Sequence, residues 1–493
     1  MALIDKEELL RVLRAYNPWW ETQKIPASFA KKLHRTAYYQ AFNIFNTPTL
    51  KRAIVLSGPR RVGKTTILYQ IADQSIQKGT SPEQVLYLTL EHPILKLVPI
   101  DQLLDLYSKE ITGSKESAIV LLDELQYIDR PTQWLKILVD RFPNWKIIAT
   151  GSASIALKGK DKESGVGRWI EVPVPTLSFF EYILIKKYES GEGAAPEFET
   201  NVLPSQLHTL PSHEQQKIVR VLSPVAKELP GFILQGGFPE TALQDDVALA
   251  QRLLREDIVD KVLKRDMAAF YGVRKLPELE KLFVYLCIHT GAIVNFSEVG
   301  KELAISKPTV YALLKALEGA HLIRAVHSLD ITGKKVLKRT TKWYIVDASI
   351  RNAVLLRGKE LILDPQEMGV VIEIAAISQL STFDYPVQPK IGYWKNGKGK
   401  EVDLIVDTPN GSPIAVEIKY REQVSMGSGE GIFDYLKSHE DATGLVITKN
   451  SESIMRREIV DKNGDKASIT LIPTHIFLYL LGHAEYRRNQ KKV

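Results

Sequence analysis

Short continuous apolar runs, spaced by segments of helical periodicity, dominate the first third of the chain. Ala53–Ser57, Val85–Leu90, Ile119–Asp123 and Lys146–Thr150 each read as a strand buried on both faces. Helical spacing fills the gaps, including a helix from Lys64 to about Lys78. Apolar strands alternating with helices predict an α/β unit around a parallel sheet. Ahead of it, Glu7–Ala15 predicts a short amphipathic helix ended by Asn17-Pro-Trp-Trp20, and Ala27–Phe45 a second helix. Glu189–Pro211, rich in Gly, Ala and Pro, predicts an exposed insertion, and Glu214–Tyr271 a helical stretch. Pro277–Asp347 reads as three helices and a hairpin. From Met368 the pattern becomes helix, strands, helix and strand.

Composition narrows the class without naming a chemistry. The 493 residues suggest roughly three domains. With 44% hydrophobic and 25% charged residues the chain is neither fibrous nor disordered. Cys287 is the one cysteine, which excludes a disulfide framework and a cysteine-based zinc site, and fits a reducing, cytoplasmic compartment. No run reaches the roughly 18 apolar residues of a membrane span, so no membrane partner is expected. The net charge of +7 favours a polyanionic partner, weakly. His34, His92, His321 and His475 show no metal-ligand spacing.

The first chemical signal is Gly58-Pro59-Arg60-Arg61-Val62-Gly63-Lys64-Thr65-Thr66, between a predicted strand and a predicted helix. This is the spacing of a phosphate-binding loop. The glycines let backbone N–H groups wrap the phosphates of ATP, Lys64 places a charge on them, and the Thr65 hydroxyl ligates Mg²⁺. The strand ending in Asp123-Glu124 supplies the other half: Asp123 for the Mg²⁺ shell and Glu124 as general base for the attacking water. Thr150-Gly-Ser152-Ala-Ser154 closes the next strand, and Ser152 is the preferred water- or phosphate-orienting hydroxyl. Arg60, Arg61, Arg141 and Arg168 are candidates for a further cation on the γ-phosphate, with Arg168 preferred as a finger acting on a neighbouring subunit. Glu91, ending the second strand, is a candidate nucleotide-reading switch.

Two further modules are legible. Asn295-Phe-Ser-Glu298 starts one helix and Ser306 caps the next, Lys307–Gly319, in helix-turn-helix fashion. Lys307, Thr309, Tyr311 and Lys315 are candidates to face a nucleic-acid groove. Lys334, Lys335, Lys338, Arg339 and Lys342, beside Gly333 on the hairpin, are candidates to meet phosphates. The alternative is a protein-packing module with solvated lysines. Farther on, Asp403 near the start of one strand and Glu417-Ile-Lys419 in the next have the spacing of a restriction-endonuclease-like site. Asp403 and Glu417 would share Mg²⁺, Lys419 would act catalytically, and Glu373 on the preceding helix would be the outer acid.

Taken in order, the loop, Leu-Leu-Asp-Glu-Leu-Gln-Tyr127, Thr-Gly-Ser-Ala-Ser154, Gly167-Arg168, Leu177-Ser-Phe-Phe-Glu-Tyr182 and Gly236-Gly-Phe-Pro-Glu240 resemble one family. These are archaeal and bacterial AAA+-like ATPases with a C-terminal domain of unknown function. The resemblance implies a P-loop AAA+-like core, a winged-helix domain and an α/β restriction-endonuclease-like C-terminal domain. The expected divisions are a helical segment (1–50), the ATPase core (51–188), a linker and helical lid (189–275), the winged helix (276–347) and the nuclease-like domain (348–493). It also implies that Asn17, Trp19 and Trp20 approach the nucleotide base, unless they are buried supports of the preamble. ATP and Mg²⁺ are the implied cofactors, duplex or branched DNA, Holliday junctions included, the implied substrate, and a homo-oligomer, in the fullest form a hexameric ring, the implied assembly. A nucleotide-gated signalling or defence ATPase and an ATP-gated nuclease are the alternatives.

Overall fold

The computed structural model describes residues 5–113, 117–151, 167–198, 201–329, 340–383, 387–409 and 411–491. They form two compact units, one built almost wholly from Met1–Pro175 and the other from Thr176–Glu318 and Leu322–Arg488. Among the described residues no helix is long and apolar enough to cross a membrane.

The first unit is a parallel five-stranded sheet of β1 (Ala53–Ser57), β2 (Val85–Thr89), β3 (Ile119–Asp123), β4 (Lys146–Gly151) and β5 (Trp169–Pro173), in the order β2-β3-β4-β1-β5. Parallel strands joined by helices are covered on both faces, which is why β1 and β3 are buried at every position and read as unbroken apolar runs. Leu121 lies beside Tyr87 and Ile148, and Val55 beside Ala149. The helices Lys64–Gln77, Ile100–Glu110 and Pro131–Arg141 are amphipathic connections. The N-terminal helix spans Lys6–Tyr16, as expected. The second expected helix is shorter, Thr36–Phe45, and the chain from Ala27 through Arg35 is irregular.

Asn17 and the two tryptophans have a structural task. β2 is an edge strand, and its outward polar groups need partners. The Asn17 amide donates to the Tyr87 carbonyl (3.0 Å) and accepts from the Tyr87 N–H (2.6 Å), as a neighbouring strand would. Trp19 and Trp20 both donate their indole N–H to the Val85 carbonyl at 2.9 Å. All three side chains are buried. The expectation that they approach the nucleotide base therefore gives way to the alternative: they close the sheet edge.

The second unit begins with the helix Phe179–Ser190, opened by a capping box between Ser178 and Glu181. This helix was expected with the ATPase core and belongs instead to the second compact unit. The expected helical stretch is present as several helices, including π-helical Leu254–Asp266. Next come Leu276–Ile288, Phe296–Leu303 capped by Asn295, Lys307–Gly319, and the hairpin β6 (Ile323–Ser328) with β7 (Thr341–Ile345). The helix Pro365–Leu380 leads into β8 (Lys390–Lys395), β9 (Glu401–Asp407), β10 (Ile414–Lys419), β11 (Thr443–Thr448), β12 (Met455–Val460) and β13 (Lys466–Pro473).

The expected division after residue 347 is not a boundary in the fold. One eight-stranded sheet runs β12-β13-β11-β10-β9-β8-β6-β7, so the hairpin is its far edge. β6 joins β8 in parallel at His327–Gly392 and Ser328–Tyr393. The helix Gly431–Ser438 carries the parallel crossover from β10 to β11, and its Ile432, Phe433 and Leu436 enter a core with Val402, Ala415, Val446 and Ile469.

Candidate functional site: a phosphate-binding loop and a carboxylate cluster

The loop after β1 is shaped by two backbone demands. A Cβ on Gly58 would lie 2.0 Å from the Val174 carbonyl oxygen, so only glycine fits. Gly63 turns at φ +93°, where a side chain is strained, and starts the helix whose N-terminal N–H groups face the loop. Arg35 holds the loop from behind, donating to the Val62 carbonyl at 2.6 Å and to Pro175 at 3.0 Å. Lys64 is 4% exposed, and its ammonium donates to the carbonyls of Gly58 (2.9 Å) and Pro59 (2.6 Å). The charge expected to meet phosphate is thus held within the loop by the loop's own acceptors.

Asp123, at the end of β3, meets the loop directly: the Thr65 hydroxyl donates to its Oδ2 at 2.9 Å. Two residues that sequence reasoning passed over complete this cage. The Tyr87 hydroxyl donates to the same oxygen at 2.7 Å, and the Thr150 hydroxyl donates to Oδ1. Thr150 also accepts the Glu124 N–H at 2.9 Å. Ser152, the preferred hydroxyl, and Ser154 lie outside the described residues. A hard-oxygen pair, Thr65 and Asp123, facing a phosphate loop suits Mg²⁺.

Glu124 adopts φ +60°, ψ +52°, a left-handed conformation that costs a non-glycine residue about 1 kcal/mol or more. Its carboxylate accepts from the Gln126 amide. Burial raises its pKa above the ordinary glutamate value, Asp123 adds to the rise, and Lys64 and Arg60 oppose it. Arg60 donates to the Tyr127 hydroxyl at 3.2 Å, and that hydroxyl donates to Glu91 at 3.1 Å. Glu91 is therefore linked to the loop through Tyr127.

Arg61 stays within the loop, turning at φ +61°, while Arg168 and Arg141 stand elsewhere. Arg168 precedes β5, and its carbonyl accepts the N–H of Ala53, the first residue of β1. The phosphate loop leaves the other end of β1, about 13 Å away at 3.3 Å per residue. Arg168 is half-exposed and paired with Asp140 at 2.7 Å. Arg141 is half-exposed and paired with Asp105 at 2.8 Å.

In the second unit, Glu373, Asp403 and Glu417 share one neighbourhood. Burial, with Asp403 adding to it, pushes the carboxyls of Glu373 and Glu417 above the ordinary range. Each acid nevertheless has a donor of its own. Tyr344 donates to Glu373 at 2.6 Å, the Ile418 N–H to Asp403 at 2.8 Å, and Lys419 pairs with Glu417 at 2.9 Å and with Glu430 at 3.4 Å. The second Glu417 oxygen, Oε2, is buried and accepts no hydrogen bond. Among the described residues no three His, Cys, Asp or Glu side chains form a group that could hold a metal ion. As arranged, these acids do not fit a divalent cation.

On the helix-turn-helix, Lys307 and Tyr311 are exposed and Thr309 is half-buried, while Lys315 pairs with Glu318 at 2.7 Å. Gly333, Lys334, Lys335, Lys338 and Arg339 lie outside the described residues. Lys342, expected to meet phosphates, is instead buried and paired with Glu401.

Three family models match the chain: an AAA domain over residues 50–183, and two domains of unknown function, DUF8612 over 226–361 and DUF4143 over 368–464. An uncharacterized protein of Haemophilus influenzae is 28% identical over 303 residues, covering 60% of this chain and 68% of its own. One of Methanocaldococcus jannaschii is 26% identical over 411 residues, covering 78% and 82%. Among solved structures, the Aeropyrum pernix ORC1 protein in complex with DNA overlaps 70% of this chain and 98% of its own at 12% identity and TM-score 0.33. AMPPCP-bound DnaA from Aquifex aeolicus overlaps 61% and 92% at 18% identity and TM-score 0.24. With the AAA match over 50–183 and a phosphate loop facing Asp123 and Glu124 across a parallel sheet, this chain carries an AAA+-like P-loop ATPase domain followed by a C-terminal domain of unknown function.

Proposed function

We propose that the chain is a Mg²⁺-dependent ATP hydrolase that acts on DNA. The contact between the Thr65 hydroxyl and Asp123, with Lys64 and Glu124 beside it, carries the reading. Lys64 would exchange the Gly58 and Pro59 carbonyls for phosphate oxygens, and the loop N–H groups would supply the remaining donors. Bound Mg²⁺ would offset charge on the terminal phosphates, held by Thr65 and Asp123. Glu124 would leave Gln126 to accept a proton from the attacking water. Arg168, whose backbone joins β1 at the end opposite the phosphate loop, would serve a neighbouring copy, and turnover would then require an assembled homo-oligomer, a hexameric ring in its fullest form.

The DNA half of the reading rests on the net positive charge and on the exposed Lys307 and Tyr311 of the helix-turn-helix. ATP-driven remodelling or translocation, on duplex or branched DNA, follows from coupling that surface to the ATPase. The test is ATP turnover without DNA and with single-stranded, duplex and four-way-junction DNA at two salt concentrations. Stimulation by one form, reduced by Lys307→Ala with Tyr311→Ala and weakened by salt, supports the proposal. Turnover indifferent to every DNA replaces it with a nucleotide-gated signalling ATPase.

A further inference from the structure

The buried ion pair of Lys342 has a demanding geometry. Lys342 lies on β7 and Glu401 on β9, with β6 and β8 between them. In a flat sheet that interval is about 14 Å, at roughly 4.8 Å per strand. The contact forms where β6 pairs with β8 at His327–Gly392 and Ser328–Tyr393 and β8 is bulged between Gly392 and Trp394, an irregularity that bends and coils a sheet. Lys342 crosses over the Tyr393 ring, 5.0 Å from its centre, and Thr340 hydrogen-bonds the Tyr393 hydroxyl. Tyr344, two residues along β7, faces the same side and donates to Glu373. The hairpin of one expected module thus places an ammonium and a phenol into the acidic cluster of the next.

We propose that Lys342 is an internal cation of this cluster, occupying the electrostatic place of a divalent ion and holding the site free of metal. The inference rests on reading Asp403, Glu417 and Lys419 as a nuclease-like constellation. Two observations beyond that reading carry it. Each acid is drawn to a separate donor of the chain, so no three converge. Glu417 meanwhile keeps a buried oxygen to which no described residue donates. A divalent ion would gain Glu401 and Glu373 as neighbours only when Lys342 leaves them.

The experiment is titration of the full, nucleotide-free chain with Mn²⁺ by calorimetry. Lys342→Met is expected to bind Mn²⁺ at least tenfold more tightly than wild type, and Lys342→Arg, which keeps the charge, to remain at the wild-type level. Adding Asp403→Asn to Lys342→Met should abolish the gain. If Lys342→Met does not fold, Lys342→Gln, which keeps a polar side chain beside Glu401 without the charge, should show the gain. Equal affinity in wild type and Lys342→Met, including no binding in either, overturns the inference. A gain that survives Asp403→Asn overturns the nuclease-like reading of the cluster instead.

Discussion

Thr150 offers the sharpest perturbation because one hydroxyl serves both acids. It donates to Asp123 and accepts the N–H of Glu124, and it is fully buried. Thr150→Val keeps the shape and removes both bonds. The hydrogen bond to a charged carboxylate is worth about 1.5–3 kcal/mol, and the orphaned Glu124 N–H costs about 1–3 kcal/mol. Because the two terms overlap at one site, a net loss of about 2–4 kcal/mol is expected. For a unit of this size that lowers the melting temperature by about 5–15 °C. Glu124 sits in a left-handed conformation that this bond helps to fix, so releasing it also displaces the proposed general base. A displacement near 1 Å costs about 10²-fold in rate. The assay is steady-state ATP turnover at saturating Mg²⁺, well below the variant's melting temperature, paired with thermal unfolding. A kcat within threefold of wild type would refute the argument that Thr150 positions Asp123 and Glu124 for turnover.

Other outcomes follow from the same geometry. Gly58→Ala, which drives a Cβ against the Val174 carbonyl, should abolish nucleotide binding measured by fluorescence titration while leaving the second unit folded. Asn17→Ala should destabilise the first unit by about 2–4 kcal/mol in urea unfolding, because the Tyr87 N–H and carbonyl both lose their partner at a buried sheet edge. The acid limb of the kcat/KM–pH profile should lie above the ordinary glutamate value: burial raises the Glu124 pKa in the free chain, and the proposed base works only when deprotonated, so kcat/KM rises with pH through that raised value. Arg168→Ala alone and Lys64→Ala alone should each be inactive, and mixing them should restore part of the turnover if Arg168 acts on a neighbour.

The sequence was legible where chemistry is local. The phosphate loop, the acidic end of β3 and the helix caps at Asn295 and Ser306 depend on residues a few positions apart, and the structure holds them where spacing puts them. What escaped depends on strand order. Tyr87 and Thr150 reach Asp123 only because β2 and β4 flank β3, and nothing within either strand announces that neighbour. Asn17, Trp19 and Trp20 were expected at the nucleotide base through the family resemblance alone, and their buried polar tips need partners. An unpaired strand edge supplied those partners. Lys342 looked solvated among hairpin lysines, since its burial is set by a coil in a sheet whose other strands lie some fifty residues on. For the same reason the hairpin looked like the end of a domain when it is the edge of the next sheet.

The central claim is that Lys64, Thr65, Asp123 and Glu124 form a working ATPase. It is tested most directly by ATP binding and turnover of wild type, Lys64→Ala and Glu124→Gln, in parallel. The account predicts that Glu124→Gln binds ATP as wild type does and hydrolyses it at least about 10²-fold more slowly, while Lys64→Ala loses binding. Turnover by Glu124→Gln equal to wild type, or unaltered binding by Lys64→Ala, would contradict it.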